Sequence, residues 1–289
     1  MRRPVAHVHA FETSHPVVPA LYVLLTLVFT MAAMQPVLIA IALAGAFAAN
    51  CCARGARATL AGLRWQLPVI FIIAIFNPIF SASGSTVLFR IGEQAIYLES
   101  LAYGFAMGGL FVASALWFMA GSYMLTFDKV MALFGNVAPT VSLMVSSTMR
   151  MIPRFVRRGH QVLAVQSASG VPGGGLETVR SRLRLSSVLM GWGMEDSLET
   201  ADAMRARGWG AAPRRTTYTR YRFSAADAAC VVCLVLGGLL CALIAWAATS
   251  QFAFYPTTSR LVAWWGYVPY ATWMFVPTAA HLICLRRFS

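Results

Sequence analysis

The sequence predicts an all-α, polytopic membrane protein: about six transmembrane helices, with a long cytoplasmic helical module inserted before the last two. Three observations carry this. Hydrophobic residues make up 58% of the 289-residue chain and charged residues only 11%, against roughly a quarter charged in an ordinary soluble domain. The apolar residues gather into runs near or above the length that crosses a bilayer, roughly 17 residues at the lower limit. The basic residues fall almost wholly on one set of the connecting segments.

The net charge is +13, from 23 basic and 10 acidic residues, and Lys129 is the only lysine. A chain this basic could bind nucleic acid. Arginines crowding the cytoplasmic loops of a membrane protein explain the charge better, and no nucleic-acid partner is expected. With the N-terminus inside, six crossings put segments 1–16, 50–65, 127–227 and 286–289 in the cytoplasm. Those segments hold 21 of the 23 basic residues, and the outer loops hold only Arg90 and Arg260. The expected location is the plasma membrane, multi-pass, with both termini cytoplasmic.

Residues 1–16 are polar, with Arg2, Arg3, His7, His9 and His15. They read as a cytoplasmic lead-in, with a metal-catching tail as the alternative. Val17 to Met34 and Val37 to Ala49 are apolar and flank Gln35-Pro36. They read as two short spans joined by a tight turn at Pro36, with one long tilted helix kinked there as the alternative. Asn50 to Trp65 reads as a basic loop with Arg54, Arg57 and Arg64, and Gln66 to Phe80 as a third span. Ser81 to Glu99 is polar and rich in Ser and Gly. Ser100 to Thr126 is a fourth span, where Gly104, Gly108 and Gly109 allow close helix contact. Ala228 to Thr249 and Leu261 to Leu285 are the fifth and sixth. The division is thus 1–126 with four spans, 127–227 as the polar module, and 228–289 as a closing helix pair. The six cysteines lie in or beside apolar runs. Cys230-x-x-Cys233 has redox or zinc spacing, but without a second pair it reads as small membrane-core residues.

The module carries 14 of the basic residues between Asp128 and Arg222. A joint at Ser169 to Gly175 (S-G-V-P-G-G-G) cannot hold a helix. Before it, Val141, Met144, Val145, Thr148 and Ile152 recur at helical spacing, and Phe155, Val162 and Leu163 continue the stripe. Arg150, Arg154, Arg157 and Arg158 line the other side. After it, Leu176 to Gly208 reads as one helix or a helix pair, weakened by Gly191 and Gly193 by about 1 kcal/mol each relative to Ala. Its last part, Trp192 to Gly210, starts acidic at Glu195, Asp196, Glu199 and Asp202 and finishes basic at Arg205 and Arg207. That order suits a helix dipole. Gly208, Gly210 and Pro213 then stop the helix. Arg207 is left on a final turn beside bare backbone, where a planar guanidinium can grip a carboxylate on another protein. The two halves end alike, in Gln166-Ser167-Ala168-Ser169-Gly170 and Met204-Arg205-Ala206-Arg207-Gly208. Two helix ends with related tasks are implied, one carrying Arg and the other Ser.

No G-x-x-x-x-G-K-[ST] occurs, so the chain has no P-loop for ATP. H-E-x-x-H, G-x-S-x-G and paired C-x-x-C are also missing. Glu99 and Asp227 sit at span ends and His281 is near the last, which argues against a proton-coupled transporter. The chain reads as a non-enzymatic scaffold driven from elsewhere, with no cofactor of its own.

Several short motifs, in order along most of the chain, give that scaffold a family likeness. They are His15-Pro16; Asn77-Pro78-Ile79-Phe80-Ser81; Gly84-x-Thr86-Val87-Leu88-Phe89; Glu99-Ser100-Leu101-x-Tyr103-Gly104; and Phe127-Asp128-Lys129. Pro139, Arg150-x-x-Pro153-Arg154-Phe155, Tyr221-Arg222-Phe223 and Asp227 follow. The strongest is Trp192-x-x-Glu195-Asp196 with Met204-x-Ala206-Arg207-Gly208-x-Gly210. With these the sequence resembles the transmembrane T component of energy-coupling factor (ECF) transporters. The resemblance implies partners: two cytoplasmic ABC-type ATPase subunits or a fused pair, and a membrane-embedded S component that carries a vitamin or metal ion. It implies that Ala206, Arg207 and Gly208, with Arg205, contact one ATPase, and that Ala168, Ser169 and Gly170 contact the other. Trp192, Glu195, Asp196 and Asp202 would support that coupling helix. The chain departs from the family at the first motif, where Ser169 stands in the arginine's place. A conventional ABC permease would instead show an E-A-A type coupling loop, which is missing. A membrane anchor for a cytoplasmic protein, and an intramembrane enzyme, are further alternatives; the spans hold no catalytic constellation.

Overall fold

The computed structural model describes residues 15–80, 84–91, 94–135, 138–168, 175–211, 223–255 and 264–288. Helices dominate, and by length and composition four of them can cross a membrane. These four are α2 (Pro36–Arg54), α3 (Ala56–Phe80), α4 (Leu98–Met124) and α8 (Ala225–Ser250). Two compact units form, Met1–Val130 with Tyr221–Ser289, and Met131–Arg220.

In the first unit α1 (Val17–Ala32) is apolar but only 16 residues long. It ends before Pro36, which takes the first turn of α2 behind an extended Gln35. Proline suits that position because its missing N–H has no partner to lose. The kinked single helix is thereby replaced by two helices. α2 runs on through Asn50 to Arg54, and α3 starts after one residue, Gly55, at φ +88°. The basic loop expected over 50–65 is therefore helical, and Arg57 and Arg64 ride on α3. Alanine and arginine are good helix formers, so only the left-handed glycine interrupts the backbone.

The polar segment after α3 holds a hairpin that its Ser and Gly content did not suggest. β1 (Val87–Ile91) pairs antiparallel with β2 (Gln94–Tyr97), Val87 opposite Tyr97 and Arg90 opposite Ala95, with an irregularity between Val87 and Phe89. Val87-Leu88-Phe89 and Ala95-Ile96-Tyr97 are rich in strand-forming side chains. α9 (Tyr267–Phe288) overlaps the expected last span, starts six residues later than Leu261, and contains Pro277. His281 lies within it and is buried.

The core of this unit forms where α4 meets α1, α2 and α3, and where α9 meets α2. Trp117, Leu116 and Val112 of α4 are buried with Tyr22 of α1, Leu38 of α2, and Tyr270 and Met274 of α9. Glycines set the spacing. A Cβ on Gly104 would lie 2.9 Å from the Ala74 Cα, and one on Gly108 2.9 Å from the Ile70 Cα. α4 thus meets α3 at backbone distance, as small-residue spacing allows. On α2, a Cβ at Gly45 would come within 2.8 Å of the Met274 Cβ.

Several polar side chains inside this core are hydrogen-bonded across it, mostly to backbone carbonyls. The Trp117 indole donates to the Ala42 carbonyl at 3.2 Å. Asn50 Nδ2 donates to the carbonyls of Ala46 and Leu116, both at 2.8 Å. Tyr22 donates to the Trp273 carbonyl at 2.9 Å, and the Trp273 indole donates to Thr26 at 3.0 Å. In an apolar solvent each such bond satisfies a group with nothing else to pair with. α3 and α8, by contrast, expose Phe71, Ile75, Leu236, Leu243 and Trp246.

The second unit contains most of α5 (Phe127–Gly135), with α6 (Pro139–Ala168) and α7 (Gly175–Ala206). α7 is one continuous helix through both Gly191 and Gly193.

Replacing Gly108 by Val is expected to destabilise the fold by about 1–3 kcal/mol, the ordinary cost of overpacking. Gly62→Ala, on α3 where nothing lies within 4 Å, should leave stability unchanged or raised. Thermal unfolding of the detergent-solubilised protein distinguishes the two.

Candidate partner-binding surface

α6 and α7 pack side by side within the second unit. Arg154 pairs with Asp196 at 3.5 Å. The Phe155 ring meets Trp192 edge-on at 5.3 Å, and the Arg158 guanidinium lies 4.9 Å from the centre of the same indole. Toward the other end Ser181 donates to Gln166 at 2.7 Å. Rising numbers on α6 meet falling numbers on α7, so the two helices run antiparallel.

Gly193 has its reason here. A Cβ on it would lie 2.6 Å from the tip of the Phe155 ring, so the glycine that weakens the helix makes room for α6. Gly191 meets nothing within 4 Å, and its glycine has no packing reason. Two of the four arginines opposite the apolar stripe, Arg154 and Arg158, reach across to α7 while staying exposed.

The far end of α7 is closed by two backbone hydrogen bonds. Gly208 N–H donates to the Arg205 carbonyl at 2.9 Å, and Trp209 N–H to the Met204 carbonyl at 3.0 Å. With Gly208 at φ +74°, this is the Schellman pattern, in which a left-handed residue folds the chain back over the last turn. Gly210 is also left-handed, at φ +88°. Arg207 sits at the cap position, exposed, and makes no ion pair among the described residues. Arg205 approaches Asp202 at 3.8 Å with both side chains open to solvent, a contact worth little. Ala206 is the last helical residue and Trp209 beyond it is 46% exposed.

The dipole reading of the acidic residues does not hold. α7 begins at Gly175, so Glu195 and Asp196 lie about five turns into the helix, whereas the dipole acts within the first turn. Asp196 works instead as the partner of Arg154, and Trp192 shares its α6-facing side. Glu195, Glu199 and Asp202 point to solvent. Arg205, in the last turn, does match the dipole.

α6 ends at Ala168; Ser169 and Gly170 lie outside the described residues. The antiparallel arrangement sends Ala168 and Ala206 to opposite ends of the helix pair. Level with Ala168 on α7 is about residue 180, so roughly 40 Å of helix separates the two similar ends at 1.5 Å per residue.

Two further groups of motif residues come together in the first unit. The Glu99 carboxylate, 2% exposed, accepts from Ser85 at 3.0 Å and from the Thr86 hydroxyl at 2.8 Å. A Cβ on Gly84 would lie 2.6 Å from the same carboxylate. The segment before β1 is thus latched to the start of α4. At the start of α8, Ser224 and Asp227 form a reciprocal capping box. The other Asp227 oxygen accepts the His15 backbone N–H at 3.2 Å, and the His15 ring meets Phe223 edge-on at 5.2 Å. Residues 212 apart in sequence thereby tie the start of α1 to the start of α8. Ser85 and the pairings of Arg154 and Arg158 were not singled out from sequence, because each is a contact between elements with no fixed spacing; Ser224, three residues before Asp227 at the head of an apolar run, did carry a capping-box signal that went unread.

Among the described residues, no group of three His, Cys, Asp or Glu side chains could hold a metal ion. No protein-family model matches the chain, and no curated protein matches it either.

Gly208→Ala is expected to strain the left-handed cap by about 1–2 kcal/mol without unfolding the protein. Amide hydrogen exchange at positions 208 and 209 should quicken by roughly tenfold, the equivalent of about 1.4 kcal/mol; unchanged exchange would contradict the capping role.

Proposed function

We propose that this chain is the membrane scaffold of an energy-coupling factor importer, the T component, which passes ATP-driven movement of cytoplasmic ATPases to a membrane-embedded S component. In this reading six helices, α1 to α4 with α8 and α9, cross the plasma membrane, both termini are cytoplasmic, and residues 131–220 face the ATPases. The asymmetry of the arginines supports that orientation. ATP hydrolysis belongs to the partners. The substrate, a vitamin or metal ion, belongs to the S component.

The observation that carries the reading is the end of α7. A Schellman cap holds the backbone after Ala206, and Arg207 projects from it into solvent. The guanidinium stands on a braced helix terminus, free of any competing ion pair among the described residues. A protruding planar cation of this kind fits a groove with a carboxylate in it. Behind that terminus Trp192 and Asp196 are tied to α6 through Phe155, Arg158 and Arg154, so movement of one helix end is passed to the other helix.

The two ATPase contacts are unequal. One end offers Arg207 and the other Ser169, which suits two different ATPases or a fused pair gripped more firmly on one side. Truncating one member of a buried interfacial charge pair costs about 2–5 kcal/mol. Arg207→Ala should therefore abolish co-purification of the ATPases from the native host, while Ser169→Ala retains most of it. ATPases that still co-purify in full with Arg207→Ala would rule out the assignment.

A further inference from the structure

α6 carries an apolar row that stays open to solvent. At 100° per residue, Val141, Met149, Ile152, Val156 and Leu163 fall within one sector of about 80°. Each is between 42% and 54% exposed. α7 packs beside this row, on the sector of Phe155, Arg158 and Gln166. On the row's other flank, about a third of a turn from its centre, stand Arg150 and Arg157. Both are exposed, and neither makes an ion pair among the described residues.

Charge says what covers the row. α6 has four arginines, Arg150, Arg154, Arg157 and Arg158, and no acidic residue in its 30 positions. α7 mixes five acidic residues with four arginines. Arg154 and Arg158 are taken up by α7, which leaves Arg150 and Arg157, two turns apart, as a pair aimed elsewhere. The chain also limits the choice. Pro139 follows Met124, the last residue of the membrane-length helix α4, by only 15 positions, so a lipid surface is within reach of α6.

We propose that α6 lies in the surface of an anionic bilayer, its apolar row among the acyl chains and Arg150 and Arg157 on lipid phosphates. A helix with one apolar side and an arginine-bearing polar side binds membranes in this way. An arginine a third of a turn from the apolar centre reaches phosphate by laying its alkyl stem along the helix, and its planar fork suits phosphate oxygens. Carboxylates of a protein partner could pair with the same arginines; the short chain distance from the membrane-length helix α4 favours the lipid surface, and a protein partner is an outcome of the test. The inference is independent of the transporter reading and needs no other subunit.

The test uses the full chain with a photo-crosslinking benzophenone amino acid in place of Val156, in nanodiscs of phosphatidylcholine alone or with phosphatidylglycerol. Mass spectrometry then reads the lipid adduct at residue 156. The expected result is a lipid adduct whose yield rises with phosphatidylglycerol. In Arg150→Gln/Arg157→Gln the ratio of membrane-seated to free α6 should fall about 30-fold, at roughly fivefold per arginine. The same loss of charge on α7, in Arg182→Gln/Arg184→Gln, should leave it unchanged. No lipid adduct, equal yields from the two lipid compositions, or equal losses in the two double variants would each overturn the proposal, as would a protein adduct replacing the lipid adduct in native membranes. The comparison of lipid compositions leaves the arginines intact, so it decides the matter even if a variant misfolds.

Discussion

Close backbone approach along α4 is the constraint on which the first unit depends. Gly104 and Gly108 bring α4 onto Ala74 and Ile70 of α3, and Gly121 makes the same allowance for Val23 of α1. In lipid there is no hydrophobic gain from joining apolar helices, so contact area and hydrogen bonds must hold them. The stripped face of α4 supplies the area. Trp117 and Asn50, bonded to carbonyls of neighbouring helices, supply the bonds. Because α4 is fixed in this way, the hairpin before it can be latched through Glu99 at its first turn.

The second unit works by a different logic. α6 and α7 share no broad apolar core; their contact is a narrow line of Phe155, Trp192, Arg158 and Gln166, with one ion pair. Apolar side chains such as Leu183, Met190, Met194 and Leu198 remain exposed on α7. A helix pair of this kind is held by a few directional contacts. Gly193 shows the compromise, giving up helix stability to admit a ring from α6.

Much of this was legible in the sequence. The apolar runs gave the positions of the long helices, because a bilayer crossing needs a length that composition cannot hide. The stop after Arg207 was readable because Gly208 and Gly210 serve one backbone conformation that other residues resist. The loop expected at 50–65 was misread because arginine is polar yet favours helix, and charge alone cannot tell a loop from a helix surface. The hairpin at 87–97 lay within a segment whose Ser and Gly suggested only a connection. The role of Asp196 was misassigned because its partner, Arg154, is 42 residues away, and sequence order cannot show which face of one helix meets another. The tie between His15 and Asp227 was likewise present only as two separate motifs.

The side of the membrane on which α7 lies decides whether any cytoplasmic motor can reach Arg207. A membrane-impermeant thiol reagent applied to intact cells measures it directly, on variants lacking the six native cysteines and carrying Ser187→Cys on α7 or Leu88→Cys in the hairpin, both exposed positions. The expected result is labelling of Leu88→Cys in intact cells and of Ser187→Cys only after permeabilisation. Labelling of Ser187→Cys from outside would contradict it.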